Sequence, residues 1–265
     1  MLDYQIAIPS YKRPTRLMTE TLSTLNRIAA NLDNITVFVA NKAEKRIYDT
    51  ALDAAGFSVP TVVSGPGLIN SRIWYNLNHY TEGTRILNLD DDIAGLYIKN
   101  NNALKPYTAP LERLVSKGFQ VCENSKARLW GINPVANGMF LKPSITIGLR
   151  YICGIFHGSY AGDPALCGAD RVRQSSGEDF ETTLRSFKLY KGVVRIDGYA
   201  PKTKYFAEGG IMAELGGKKQ RELDHERQLA EIVARFPAYS KLYTKAGDTP
   251  NIKLKTVTRG KLTWL

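Results

Sequence analysis

Three consecutive aspartates, Asp90, Asp91 and Asp92, close the apolar run Ile86-Leu87-Asn88-Leu89 in the stretch "RILNLDDDI". Neighbouring carboxylates repel, so this placement costs stability unless a cation or a proton relieves it. Two chemistries fit. A turn or helix cap would use the aspartates for local hydrogen bonds, with Asp92 capping whatever follows. A hard divalent cation such as Mg²⁺ or Mn²⁺ would take one or two of these carboxylates and complete its shell with substrate phosphates. Alternate residues share a side at a strand end, so Asp90 and Asp92 point one way and Asp91 the other. The metal reading therefore takes Asp90 and Asp92 as the ligand pair.

A second acidic site stands in "GEDFETTLRSF", where Glu178 and Asp179 open a helix. The helix macrodipole alone favours acids in a first turn. Combined with a metal site far away in sequence, the pair also supplies candidates for a general base, either Asp179 or Glu178.

Cations and hydroxyls gather near the N-terminus in "PSYKRP". Ser10, Lys12 and Arg13 there could meet phosphates or a base edge, or Pro9 and Pro14 could simply hold a solvated loop. "GPGLINSRIWYN" puts Arg72 and Asn76 four apart on a helix that begins after a glycine turn, a start that could receive a phosphate. It is not a full dinucleotide or P-loop fingerprint. No GxSxG, HExxH or GxxxxGK[ST] occurs, and the three histidines are scattered. His225, in a charged tail helix, reads as a surface residue and is kept as a candidate metal contact.

The elements that must position these groups alternate. "YQIAI" (4–8) reads as a buried strand, followed by a helical stripe of Met18, Leu22, Leu25, Ile28 and Leu32. "NITVFVA" (34–40) is a second strand, 43–56 a helix, and "FSVPTVV" (57–63) a third strand interrupted by Pro60. A helix carrying Ile69, Ile73, Leu77 and Tyr80 then leads to the aspartate strand. Repeated β-α units predict a mostly parallel α/β sheet with helices on both faces, and such sheets bind ligands at the carboxyl ends of their strands.

The second half is less regular. We expect a helix over 111–122, a strand over 127–132, and a long β-rich stretch, 145–160, with Gly148, Gly154 and Gly158 as bends. A helix over 178–187 and a strand "GVVRIDGY" follow, then a basic loop "APKTKYFAEGG" holding Lys202 and Lys204. The tail reads as a solvated helix with Leu223, Leu229, Ile232 and Phe236 turned toward the body. Residues 1–215 are expected to form the main domain and 216–265 a helical extension on it.

The 265 residues and 43% hydrophobic content suit a packed core. Nowhere do eighteen apolar residues run together, which points to a soluble, cytoplasmic protein without a membrane partner. Three cysteines without metal-type spacing read as reduced. A net charge of +11 favours a polyanionic partner such as nucleic acid or a nucleotide.

The order "IAIPSYKRP", helix and strand, then a hydrophobic strand ending in "DDDI" resembles nucleotide-sugar glycosyltransferases of the GT-A type, with their Rossmann-like sheet. With "GPGLINSR", "GEDFETTLR" and "FAEGG", the stretch from 4 to 212 is most similar to phage TET-associated glycosyltransferases, which modify hydroxymethylated pyrimidines in DNA. The resemblance implies a metal-dependent inverting hexosyltransferase using a UDP-sugar such as UDP-glucose. It implies a divalent metal on Asp90 and Asp92, with Asp179 or Glu178 as base. Pro9, Ser10, Lys12, Arg13, Arg72, Asp90 and Asp91 would contact the donor; Gly154, Lys202 and Lys204 would lie beside a DNA acceptor. One departure is that Ile73 follows Arg72, where relatives often carry Asn. A polysaccharide or protein acceptor, a GT-A-like nucleotidyltransferase and a non-catalytic nucleic-acid-binding protein are the rival readings.

Overall fold

The computed structural model describes residues 2–100, 103–171, 177–203, 218–244 and 250–263. Strand β1 (Gln5–Pro9) is almost wholly buried, and Pro14 then opens α1 (Pro14–Arg16) at the position where a missing N–H costs nothing. This helix runs on through a π-helical stretch, Leu17–Leu22, into α2 (Ser23–Arg27). β2 (Ile35–Val39), α3 (Lys42–Ala54), β3 (Thr61–Val63), α4 (Leu68–Asn78) and β4 (Arg85–Leu89) complete the expected alternation. Asn41 caps α3 by accepting from the N–H groups of Ala43 and Glu44.

After the aspartates come β5 (Ile93–Asn100) and β6 (Ala103–Pro106), then α5 (Leu111–Ser125), β7 (Trp130–Ile132), β8 (Ser144–Leu149) and β9 (Phe156–Tyr160). The short α6 (Pro164–Cys167), α7 (Glu178–Tyr190), β10 (Val193–Ile196), β11 (Tyr199–Thr203) and α8 (Lys218–Arg235) follow. β12 (Ser240–Tyr243), β13 (Asn251–Leu254) and β14 (Val257–Thr263) come last.

Nine strands form one sheet in the order β14-β8-β10-β7-β9-β4-β1-β2-β3. β8 and β9 run against the other seven, so the sheet is mostly parallel, as expected. A smaller sheet, β11-β5-β6, projects from the turn after the aspartates. Its β11 replaces the loop expected around "APKTK", because Tyr199–Thr203 finds a partner in β5.

The tail also differs from a purely helical extension. Leu229, Ile232 and Phe236 are buried against Leu149, Leu184 and Phe187 as expected, but Leu223 is 56% exposed. Beyond α8 the tail turns into strands, and β14 pairs along β8 to become an edge of the main sheet. Residues on the two sides of the expected boundary at 215 thus share one sheet. A Cβ at Gly148 would run into the Val257 carbonyl of β14, so this glycine allows the close approach. Among the described residues no helix is long and apolar enough to cross a membrane.

Candidate active site

The carboxyl ends of β1 and β4 lie side by side, since Ile6 pairs with Leu87 and Ala7 with Asn88. Residues 10–13 and 90–92 therefore meet. Thr21, in the π-helical stretch, ties the aspartate turn down: its hydroxyl donates to the Asp90 carbonyl at 2.9 Å and accepts from the Ile93 N–H at 2.9 Å. The Asp90 N–H donates to the carbonyl of Ile155 at 3.0 Å.

The three aspartates differ in burial, and Arg13 reaches two of them, Asp91 at 2.7 Å and Asp92 at 3.6 Å. Asp91 is 1% exposed and faces inward, where it accepts from Ser10 Oγ at 2.5 Å and pairs with the Arg13 guanidinium at 2.7 Å. Its carboxylate thereby fixes Ser10 and Arg13. Burial, opposed by Arg13 and Ser10, lifts the Asp91 carboxyl to about 7. Asp90 and Asp92 are more open, at 29% and 16% side-chain exposure. Burial raises both; Arg72 opposes it at Asp90 and Asp92 adds to it, leaving Asp90 at about 6.

Arg72, on α4, is buried among carboxylates. It pairs with Asp90 at 3.1 Å, with Glu178, and with Asp179 at 3.9 Å, and donates to the Gly154 carbonyl at 3.0 Å. Burial lowers its pKa, but Glu178 and Asp90 outweigh that and raise it. Arg72, on the helix that follows "GPG", is therefore the counter-ion of the acidic cluster.

Glu178 and Asp179, far away in sequence, arrive here at the start of α7 behind Gly177, whose φ is +76°. Glu178 is held between Arg72 and Arg171, whose Nη2 stands 3.8 Å from it. Asp179 is twice as open, at 21% side-chain exposure against 10%. It accepts from the Tyr151 hydroxyl at 3.0 Å. Burial raises the carboxyls of both; at Asp179, Arg72, the Gly154 N–H and Tyr151 hold it down. A Cβ at Gly154 would strike Asp179 and Arg72, so only glycine lets the three approach.

A cavity of about 250 Å³ is lined by Arg72, Asp90, Gly154, Glu178, Asp179 and His225. Five separate stretches of sequence thus converge on one space. Within it His225 meets the Pro250 carbonyl through Nε2 at 3.1 Å. Lys12 is exposed, its backbone N–H bonded to Glu44 at 2.9 Å. Lys202 pairs through its backbone with Gly95, three residues past Asp92, and its amine lies over Tyr97. Pro9 ends β1, buried at the same sheet edge. Lys204 and "FAEGG" fall outside the described residues.

Sequence reasoning missed Tyr48, Glu44, Tyr151 and Arg171. Tyr48 is fully buried; its hydroxyl lies 2.7 Å from Ser10 Oγ and accepts from the Arg13 N–H at 2.9 Å. The i,i+4 spacing of Glu44 and Tyr48 was the available signal. Tyr151 carried none.

Among the described residues no three His, Cys, Asp or Glu side chains converge as a ready-made metal cage. Asp90 and Asp92 nevertheless fit a divalent cation of the kind that takes two carboxylates and substrate phosphates. They are the open pair of the triplet, and burial raises both carboxyls, a cost that a bound cation would offset.

No protein-family model and no curated protein sequence matches the chain. Solved structures do. TarS 1-349 of S. aureus, in complex with UDP-GlcNAc, is 15% identical with a TM-score of 0.56, over 88% of this chain and 66% of that one. Mannosyltransferase PcManGT from Pyrobaculum calidifontis, in complex with GDP-Man and Mn²⁺, is 11% identical with a TM-score of 0.56, over 90% and 65%. Glucosyl-3-phosphoglycerate synthase from Mycobacterium tuberculosis, in complex with Mn²⁺, UDP and glucosyl-3-phosphoglycerate, is 10% identical with a TM-score of 0.52, over 99% and 90%. The chain spans just under two thirds of the length of the first two. Its α/β architecture is the GT-A fold of these neighbours.

Proposed function

We propose that this chain is a metal-dependent inverting glycosyltransferase that moves a sugar, glucose from UDP-glucose, onto a hydroxymethylated pyrimidine of DNA in the cytoplasm. The observation that carries the reading is the single cavity in which Asp90, of the aspartate triplet, and Asp179 face each other across Arg72. The neighbours' complexes with UDP-GlcNAc, UDP and GDP-Man, two of them with Mn²⁺, support a nucleotide-sugar donor and a divalent metal. The +11 charge and the sequence resemblance support DNA.

Transfer breaks the bond from the anomeric carbon to the diphosphate oxygen, which leaves with the electron pair, and forms a bond from the acceptor oxygen to that carbon. Asp179 accepts the acceptor hydroxyl's proton; its raised pKa makes it a better base near neutral pH than a free aspartate. Asp90 and Asp92 would hold the metal, which as a Lewis acid stabilises the charge gained by the leaving diphosphate. Arg72 keeps Asp90 and Asp179 in one geometry, and Asp91 sets Ser10 and Arg13 at the sheet edge for the nucleotide end. One displacement inverts the anomeric carbon.

The test is release of UDP from UDP-glucose with Mn²⁺, comparing hydroxymethylcytosine DNA, hydroxymethyluracil DNA and unmodified DNA, with Asp92→Ala as control. Release with one modified DNA alone is expected. Slow release without preference removes the DNA acceptor, and no release from any nucleotide-sugar overturns the reading.

A further inference from the structure

A second cavity, about 690 Å³, adjoins the first and falls within the roughly 300–1,000 Å³ of ligand sites. Tyr151, Phe180 and Asn251 line both. The rings of Tyr151 and Phe180 lie 4.4 Å apart, tilted by 32°, both half-buried, so they form a shared aromatic sill. The Tyr151 hydroxyl reaches over it to Asp179.

The walls of this second cavity are cationic. Arg150 follows β8, Arg195 comes from β10 and Lys253 from β13. Arg150 donates to the Thr258 hydroxyl at 2.8 Å and has no carboxylate partner among the described residues. Burial, then the charge of Arg195, pushes its pKa below the usual arginine value, with Asp197 opposing. Asp197 is bonded to Arg195 at 2.6 Å and also accepts from Thr146. Lys253 stands across from Lys241 in register, its amine over the Tyr243 ring. From Asn251 onward the sequence holds four basic residues and no acidic one. Among the described residues, three cations and no carboxylate line the cavity, the mirror image of the aspartate problem, which an anion relieves.

Phosphates alone would need only the cations. The adjoining aromatic sill adds faces on which bases stack, and a cationic track with aromatic platforms is how single-stranded nucleic acid is held. Resting on the transferase reading above, we infer that the acceptor is nucleic acid with its backbone along Arg150, Arg195 and Lys253, and that the modified nucleotide is extruded across Tyr151–Phe180 to Asp179. A base taken out of its stack presents its substituent to a carboxylate that a duplex cannot approach.

The test is fluorescence anisotropy of the full chain with a hydroxymethylcytosine oligonucleotide, single-stranded and in duplex, with inorganic polyphosphate as competitor. Arg150→Gln and Lys253→Gln should each lower the slope of log K against log salt by about 0.7, the value per single-strand phosphate contact, with Arg150→Lys restoring it. Phe180→Leu should weaken single-strand binding roughly ten-fold at an unchanged slope. Unchanged slopes in both charge variants, tighter binding to intact duplex than to single strand, or equal displacement by polyphosphate in wild type and Phe180→Leu would each overturn the inference. Metal-dependent UDP release by the wild-type chain alongside unchanged slopes overturns the groove and leaves the transferase. Groove-dependent binding without release from any donor overturns the transferase and leaves the groove.

Discussion

Arg72 contacts three carboxylates at once, and that sharing ties Asp90 to Glu178 and Asp179. If Asp179 is the base, Asp179→Asn should lower the transfer rate by about 10²–10⁴ with donor binding kept, as separate turnover and donor-titration measurements would read. Gly154→Ala should cost on the order of a hundred-fold in rate, because its methyl displaces Asp179 and Arg72 together. His157 supplies a pH prediction. Buried, beside Arg72, it donates from Nδ1 to the Gly154 carbonyl, and its pKa is pushed down to about 3. A depressed histidine contributes stability above the unfolded value near 6.5 and loses it as pH falls toward 3. Between pH 6.5 and 5 the loss is about 2 kcal/mol, so urea unfolding of wild type should fall off more steeply over that window than that of His157→Gln. The sequence showed the aspartates, because like charges side by side need a reason. It did not show Arg171 or Tyr151, whose roles exist only once α7 and the segment before β9 are brought together.

At the scale of elements, Gly148 is the seat of β14. Gly148→Val should undock that strand, costing about 1–3 kcal/mol and removing amide protection over Val257–Thr263, which hydrogen exchange would report. The first three β-α units and β4 were readable because of their regular apolar spacing: in the first helix Leu22, Leu25 and Ile28 are all under 5% exposed, although in α4 Leu77 of the expected stripe faces outward. β11 was not, since Pro201 and Lys202 argue against a strand and only pairing with the distant β5 overrides them. Leu223 was misread for the opposite reason: the periodicity continues into a turn of α8 where it stays exposed.

For the molecule as a whole, the meeting of "PSYKRP" with the aspartate triplet at one sheet edge was legible from the strand-end rule, while the arrival of Glu178 and Asp179 there, and the half of the sheet beyond β4, were not. Its neighbours in space are remote in sequence, such as Arg85 with Tyr160 and Val257 with Leu149. That same strand order has a kinetic meaning. Pairings across long loops pay closure entropy before any contact rewards it, so they form late. β1 to β4 can assemble through local crossovers, whereas Glu178 and Asp179 reach Asp90 only after β9 has closed on β4. Refolding should therefore pass through a species with protected amides in Ile6–Ile8 and Val37–Val39 and none in Val193–Ile196, visible by pulse-labelled exchange. Such a species would carry the aspartate triplet before its second carboxylate pair arrives, so competence for chemistry should lag behind collapse.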